Sequence, residues 1–169
     1  MRVTRAVLAL PVAAAVAVGA GGAFADSGVS AAARCGLNDA TLGYSGSEGA
    51  AGTQIEKFQY FAKNGGVHCS MKGYAKITLL EKSGTSLPIK VKRSHNRPVR
   101  RLTLKKGKPV AFELAHPSFD PVTTKPCKIK VWGMRVETPG FSKVLVLKLS
   151  SPLRFCDTGA KRTAFGRKR

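Results

Sequence analysis

Apolar residues in this chain recur at every second position, in short runs closed by turn residues, and that spacing points to one class of fold. Leu87, Ile89 and Val91 alternate with Pro88, Lys90 and Lys92. Leu102 and Leu104 alternate with Arg101, Thr103 and Lys105, and Val110, Phe112 and Leu114 with Ala111, Glu113 and Ala115. Successive side chains of a strand point to opposite faces, so each run reads as a strand with one face on a core. Thr53–Lys63 follows the same rule, with Phe58, Tyr60 and Ala62 against Lys57 and Gln59; Phe61 breaks it. Further strands are expected over Tyr74–Glu81, Lys128–Glu137, with Gly133 as its bulge candidate, and Val144–Leu149. Asn64-Gly65-Gly66, Lys82-Ser83-Gly84, Lys106-Gly107 and Thr138-Pro139-Gly140 are the turns between them. The Gly- and Ser-rich stretch Gly43–Gly52 and the proline-bearing stretch His116–Pro126 read as loops. No helical period of useful length follows residue 25. Seven to eight short strands at regular spacing make an antiparallel all-β sandwich. Phe58, Tyr60, Phe112 and Trp132 fall on strand faces with apolar partners and are expected in its core.

The first 25 residues read as an export leader. Arg2 and Arg5 are followed by an apolar run to Gly19 and by Ala23-Phe24-Ala25, a small-x-small cleavage site. The run is shorter than the roughly 20 residues a membrane-spanning helix needs, and no later segment reaches that length. Residues 26–34 are small and polar, a flexible leader of the mature chain. The domain is expected over 35–157, and 158–169 reads as a basic disordered tail.

Four cysteines, Cys35, Cys69, Cys127 and Cys156, all follow the leader. In an exported chain an even count reads as a disulfide framework. No CxxC or HxxxH pair is present to build a zinc site, and no cofactor motif occurs. Spacing alone leaves three connectivities open. Placement favours Cys35–Cys69 and Cys127–Cys156, because the turn at Pro139-Gly140 would lay the strands near the last two cysteines side by side.

In order along the chain, several landmarks resemble an actinobacterial secreted family, domain-of-unknown-function family 4232. They are Arg34-Cys35, the loop Gly49-Ala50-Ala51-Gly52, Cys69 followed by Gly73-Tyr74, the turn Leu104 to Gly107, and the late cysteines Cys127 and Cys156. The resemblance covers about residues 34–157. It implies an immunoglobulin-like sandwich outside the cytoplasm and carries no activity. The chain departs from the family at Ala75, where Pro is usual after Gly-Tyr, and at Lys106-Gly107, where Pro-Gly is usual.

Catalytic signals are absent. His68, His95 and His116 are expected at turns or strand ends, with no acid or nucleophile at motif spacing. Asp39, Glu48, Glu56, Glu81, Glu113, Asp120, Glu137 and Asp157 are scattered singly, whereas a glycosidase needs a close carboxylate pair. Disulfide-bonded sulfur cannot attack as a thiolate.

Charge is the remaining signal. The whole chain carries +20, and loss of Arg2 and Arg5 with the leader lowers this by two, to +18. Nine Lys or Arg and no acid lie between Lys90 and Lys108. If Ser94–Pro98 is the turn of a hairpin, Lys90, Lys92, Arg101 and Lys105 share one exposed face, with Arg93 and Arg97 beside it. These six are the candidate polyanion-binding residues.

Two classes of function fit. One is a non-catalytic module binding an anionic polymer of the cell wall or exterior: wall polyphosphate, acidic polysaccharide, anionic lipid headgroups or extracellular DNA. Sequence-specific reading of nucleic acid is not expected, because aromatics do not interleave the basic run. The other is a structural or protein-interaction domain whose charge serves solubility and wall retention. Both place the chain outside the cell. The leader predicts a mature N-terminus within a residue or two of Asp26 by mass spectrometry of the secreted protein. An intact leader in the membrane fraction would refute it.

Overall fold

The computed structural model describes residues 35–36, 38–63 and 69–167. The leader, the segment 26–34, the expected turn Asn64-Gly65-Gly66 and His68 lie outside the described residues.

The described chain is all-β, with ten strands where seven to eight were expected. They are β1 (Ala40–Ala50), β2 (Thr53–Ala62), β3 (Cys69–Lys72), β4 (Lys76–Leu80), β5 (Val91–Arg93), β6 (Arg101–Leu104), β7 (Val110–Pro117), β8 (Ile129–Glu137), β9 (Leu145–Phe155) and β10 (Ala160–Arg162). A five-stranded sheet runs β1-β2-β7-β10-β5, a three-stranded sheet β4-β8-β9, and β3 pairs with β6. All pairings are antiparallel except β10 with β5. One core joins the three sheets: Phe58, Tyr60, Phe112 and Leu114 from the large sheet, Leu79, Val131 and Met134 from the three-stranded one, Met71 and Leu104 from the pair. Alternation is what makes this a sandwich, because each sheet offers one apolar face and can bury it only against another.

Several loops expected from composition are strands. Gly43–Gly52 is not a loop, since β1 runs to Ala50 and turns back through Ala51 and Gly52, with Ala50 opposite Thr53. Both turn residues have positive φ, 44° and 79°. That is the mirror-type turn whose twist suits a two-residue hairpin. The ladder to β2 thus compensates for the weak strand preference of Gly and Ser. Phe61, the residue that breaks alternation in β2, points outward and is 44% exposed. Strand β7 continues through His116 and Pro117, beyond the expected end. The β8–β9 register jumps between Val131 and Gly133, but the bulge expected at Gly133 is not in β8. The extra residues lie on β9, which passes through Ser150-Ser151-Pro152 without ending. Proline is tolerated there because the bulge leaves it free of ladder bonds.

Both cysteine pairs form as placement favoured. Cys35 joins Cys69 with Cα atoms 5.1 Å apart, and Cys127 joins Cys156 at 4.6 Å. The first ties the start of the domain to β3. Cys35 N–H also donates to the Gly140 carbonyl at 2.7 Å. The second ties the run-in to β8 to the end of β9.

The expected disordered tail is a correction. Ala160–Arg162 forms β10 between β7 and β5, and beyond it Ala111 and Gly166 exchange backbone hydrogen bonds of 2.8 and 2.9 Å. Ala164 and Phe165 are buried, and Phe165 meets Tyr60 and Phe112 edge-on. Arg167 donates to the carbonyls of Lys108, Pro109 and Thr103. Composition reads as a tail because five cations surround one large apolar residue. The backbone ladders and the Phe165 socket outweigh that. The domain therefore extends past 157.

Replacing Phe165 with Ala is expected to cost about 3–5 kcal/mol, a large share of the roughly 5–15 kcal/mol typical of a domain. Truncation after Gly159 should abolish the cooperative thermal transition. A truncated protein that melts like the parent would restore the disordered-tail reading.

Candidate anion-binding edge

The site is built by a strand that serves two sheets. Ser86 bridges Leu80 of β4, and Leu87 N–H donates to Leu79 at 2.8 Å. The chain then crosses to the large sheet, where β5 runs parallel to β10 in the register Val91–Ala160, Lys92–Lys161, Arg93–Arg162. Gly159 makes the junction possible. Its φ is +94°, and a Cβ there would stand 2.6 Å from the Lys90 carbonyl. That carbonyl accepts from Ala160 N–H at 3.0 Å. Ile89 is buried while Lys90 and Lys92 are exposed, as the alternation predicted.

The expected hairpin between the strands at 87–92 and 101–105 does not form. β10 takes the ladder position beside β5, and β6 pairs instead with β3. The six candidate cations are therefore divided. Lys90, Lys92 and Arg93 lie on or beside β5. Arg97 forms an ion pair with Glu113 at 2.9 Å and packs against Gly166. Arg101 donates to the Ser70 hydroxyl at 3.1 Å, and Lys105 flanks the Lys106-Gly107 turn. Lys161 takes their place. Its sequence neighbourhood reads as tail, and Phe165 is the only residue there that signals packed structure.

Lys92 and Lys161, opposite each other on adjacent strands, open with Lys90 into a groove of about 550 Å³ on the outer face of the large sheet. Ser94, Asn96 and Thr53 add polar groups to its wall, and no Asp or Glu lines it. On the other side of β5 a second groove, about 470 Å³, holds Arg93, Tyr74, Lys76, Lys143 and Glu137. Lys76 is neutralised by Glu137 at 2.9 Å. The Arg93 guanidinium sits 5.5 Å from the Tyr74 ring centre, and Tyr74 donates its hydroxyl to the Ser94 carbonyl at 3.0 Å. Arg162, opposite Arg93, donates to the Val91 carbonyl. Partial burial, and then the charge of Arg93, hold its guanidinium below the usual arginine range.

Two of the three histidines, His95 and His116, lie among the described residues. His116 lies inside β7, not at a turn, and it is buried with Glu56, the carboxylate 3.4 Å from its Nε2. Tyr44 donates to the other Glu56 oxygen at 2.7 Å, and the imidazole stacks on Phe155 at 3.9 Å. Burial, reinforced by Glu56, pushes the Tyr44 hydroxyl up to about 12. The trio is invisible in the sequence because its members are 12 and 60 positions apart. Its members satisfy one another's hydrogen bonds; Glu56 and His116 are buried, Tyr44 is exposed, and His116 also lines the lysine groove. His95 meets the Tyr74 ring edge-on, at 6.3 Å. Phe58, Tyr60 and Phe112 are core residues as expected, but Trp132 is not: it is half-buried opposite the bulged part of β9, with Lys82 Nζ 5.1 Å from its ring centre.

Among the described residues no helix is long and apolar enough to cross a membrane. No curated protein and no solved structure matches the chain. A family model described as a domain of unknown function, DUF4232, matches residues 35–166, through β10 and Phe165. That span takes in all ten strands and both disulfides, and the chain belongs to the DUF4232 family.

Proposed function

We propose that this chain is an exported, non-catalytic module that binds an anionic polymer outside the cell, through the β5–β10 edge. The observation that carries the reading is the register of that ladder. Lys92 faces Lys161 and Arg93 faces Arg162, so like charges stand directly opposite on both faces of one strand pair. Each such pair costs a few tenths of a kcal/mol up to about 1. A bound anion relieves that repulsion, and the groove supplies no carboxylate to do it internally.

Two further features support the reading. The leader and the two disulfides fit an oxidising, extracytoplasmic setting, where wall polyphosphates and acidic polysaccharides are available. The groove offers ammonium groups, hydroxyls and an amide, but no base-reading constellation, so binding is by charge and general across polyanions.

Duplex DNA serves as a general polyanion for the test. Changing Lys92 and Lys161 together to Gln should reduce the slope of log affinity against log salt by about 1.8, near 0.9 for each phosphate that is no longer neutralised. Both positions are exposed, so the fold should hold within about 0.5 kcal/mol. The Arg101, Lys105 double Gln variant should change the slope far less. Equal slopes for parent and Lys92, Lys161 variant would make the edge a solvated face and favour the structural or protein-interaction role.

A further inference from the structure

We infer that the ligand of this edge is a flexible linear polyanion that folds over β5 and occupies both grooves at once. The inference rests on the anion-binding reading above and adds the form of the ligand. Strand β5 is the last strand of its sheet, with β10 on one side only. Its adjacent residues Lys92 and Arg93 project to opposite faces, and each lines a different groove. On the outer side stand Lys90, Lys92 and Lys161; on the other stand Arg93 and Lys143. These five are exposed cations that form no ion pair among the described residues. The two sets of charges therefore lie on opposite faces of a single strand.

That geometry selects by stiffness. A chain of single-bonded phosphates can turn around one strand edge. Duplex DNA, with a persistence length of about 50 nm, cannot, and it meets one face only. Once one groove is filled, the second is met at the high effective concentration set by the short connecting stretch of ligand. Affinity should therefore climb with chain length until the ligand spans both grooves.

The test uses tripolyphosphate and long-chain inorganic polyphosphate, titrated calorimetrically into the mature protein with concentrations expressed as phosphate. This removes the gain that a long chain gets merely from offering more starting positions. The parent should bind the long chain at least about 100-fold more tightly than tripolyphosphate. Changing Arg93 and Lys143 together to Gln should erase most of that gain, yet leave tripolyphosphate binding at the lysine groove within about threefold and duplex DNA binding unchanged. Changing Lys92 and Lys161 to Gln should weaken every ligand. A parent with equal affinity per phosphate for both lengths would overturn the wrapped ligand while leaving the lysine groove intact as a binding site. So would an Arg93, Lys143 variant that keeps the full gain. Failure of the parent to bind any of the three ligands would overturn both readings together.

Discussion

Insertion of the C-terminal strand between β7 and β5 is the constraint on which the rest of the structure depends. β10 contributes only three residues to the ladder, but it closes two strand edges at once and is followed by Phe165, which fills the space beside Tyr60 and Phe112. Without it, the backbone groups of β7 and β5 would face each other across an empty strand width, and buried amides must be paired. Its register also decides which cations meet. Had the strand slipped by one residue, Lys161 would have turned toward the core and Arg162 toward solvent.

The edge departs from the rest of the molecule in how charge is handled. Elsewhere the few acids are used locally: Glu48 with Lys57, Glu137 with Lys76, Glu113 with Arg97. Asp120 accepts from the amides of Val122 and Thr123 and so closes its own turn, which holds its carboxyl below the usual range. None of these acids is spent on Lys90, Lys92 or Lys161. A chain of high positive charge has acids to spare for only some of its cations, and where they are absent the field is left open to an external anion.

The buried trio of Tyr44, Glu56 and His116 shows the opposite arrangement. Here a carboxylate is taken out of water and kept there by two side-chain partners, next to the ring of Phe155. Such a network specifies the pairing of β1, β2 and β7, since a slip in any of them would leave a buried polar atom without its partner. It belongs to the architecture of the domain and underlies the ligand groove, since β7 is the neighbour of β10 and His116 lines the groove beside Lys161.

The sequence by itself determined the fold class, the outward face of β5 and the cysteine framework. Period-two alternation at Leu87, Ile89 and Val91 is a local property of the strand, so Lys90 and Lys92 are outward whatever β5 pairs with. It misplaced β1 and β10, because Gly, Ser and clustered cations are poor strand formers on their own. In both cases a neighbouring strand, not local preference, supplies the stability. It also joined Lys90 and Lys92 to Arg101 and Lys105 by assuming that neighbours in sequence pair in space. Tertiary structure alone decided that Lys161 faces Lys92, that Arg97 is spent on Glu113 and that Glu56 meets His116. Each of these meetings joins residues from separate strands or loops, and each is fixed by sheet order and register, which compete globally for the same core and cannot be read from any one segment.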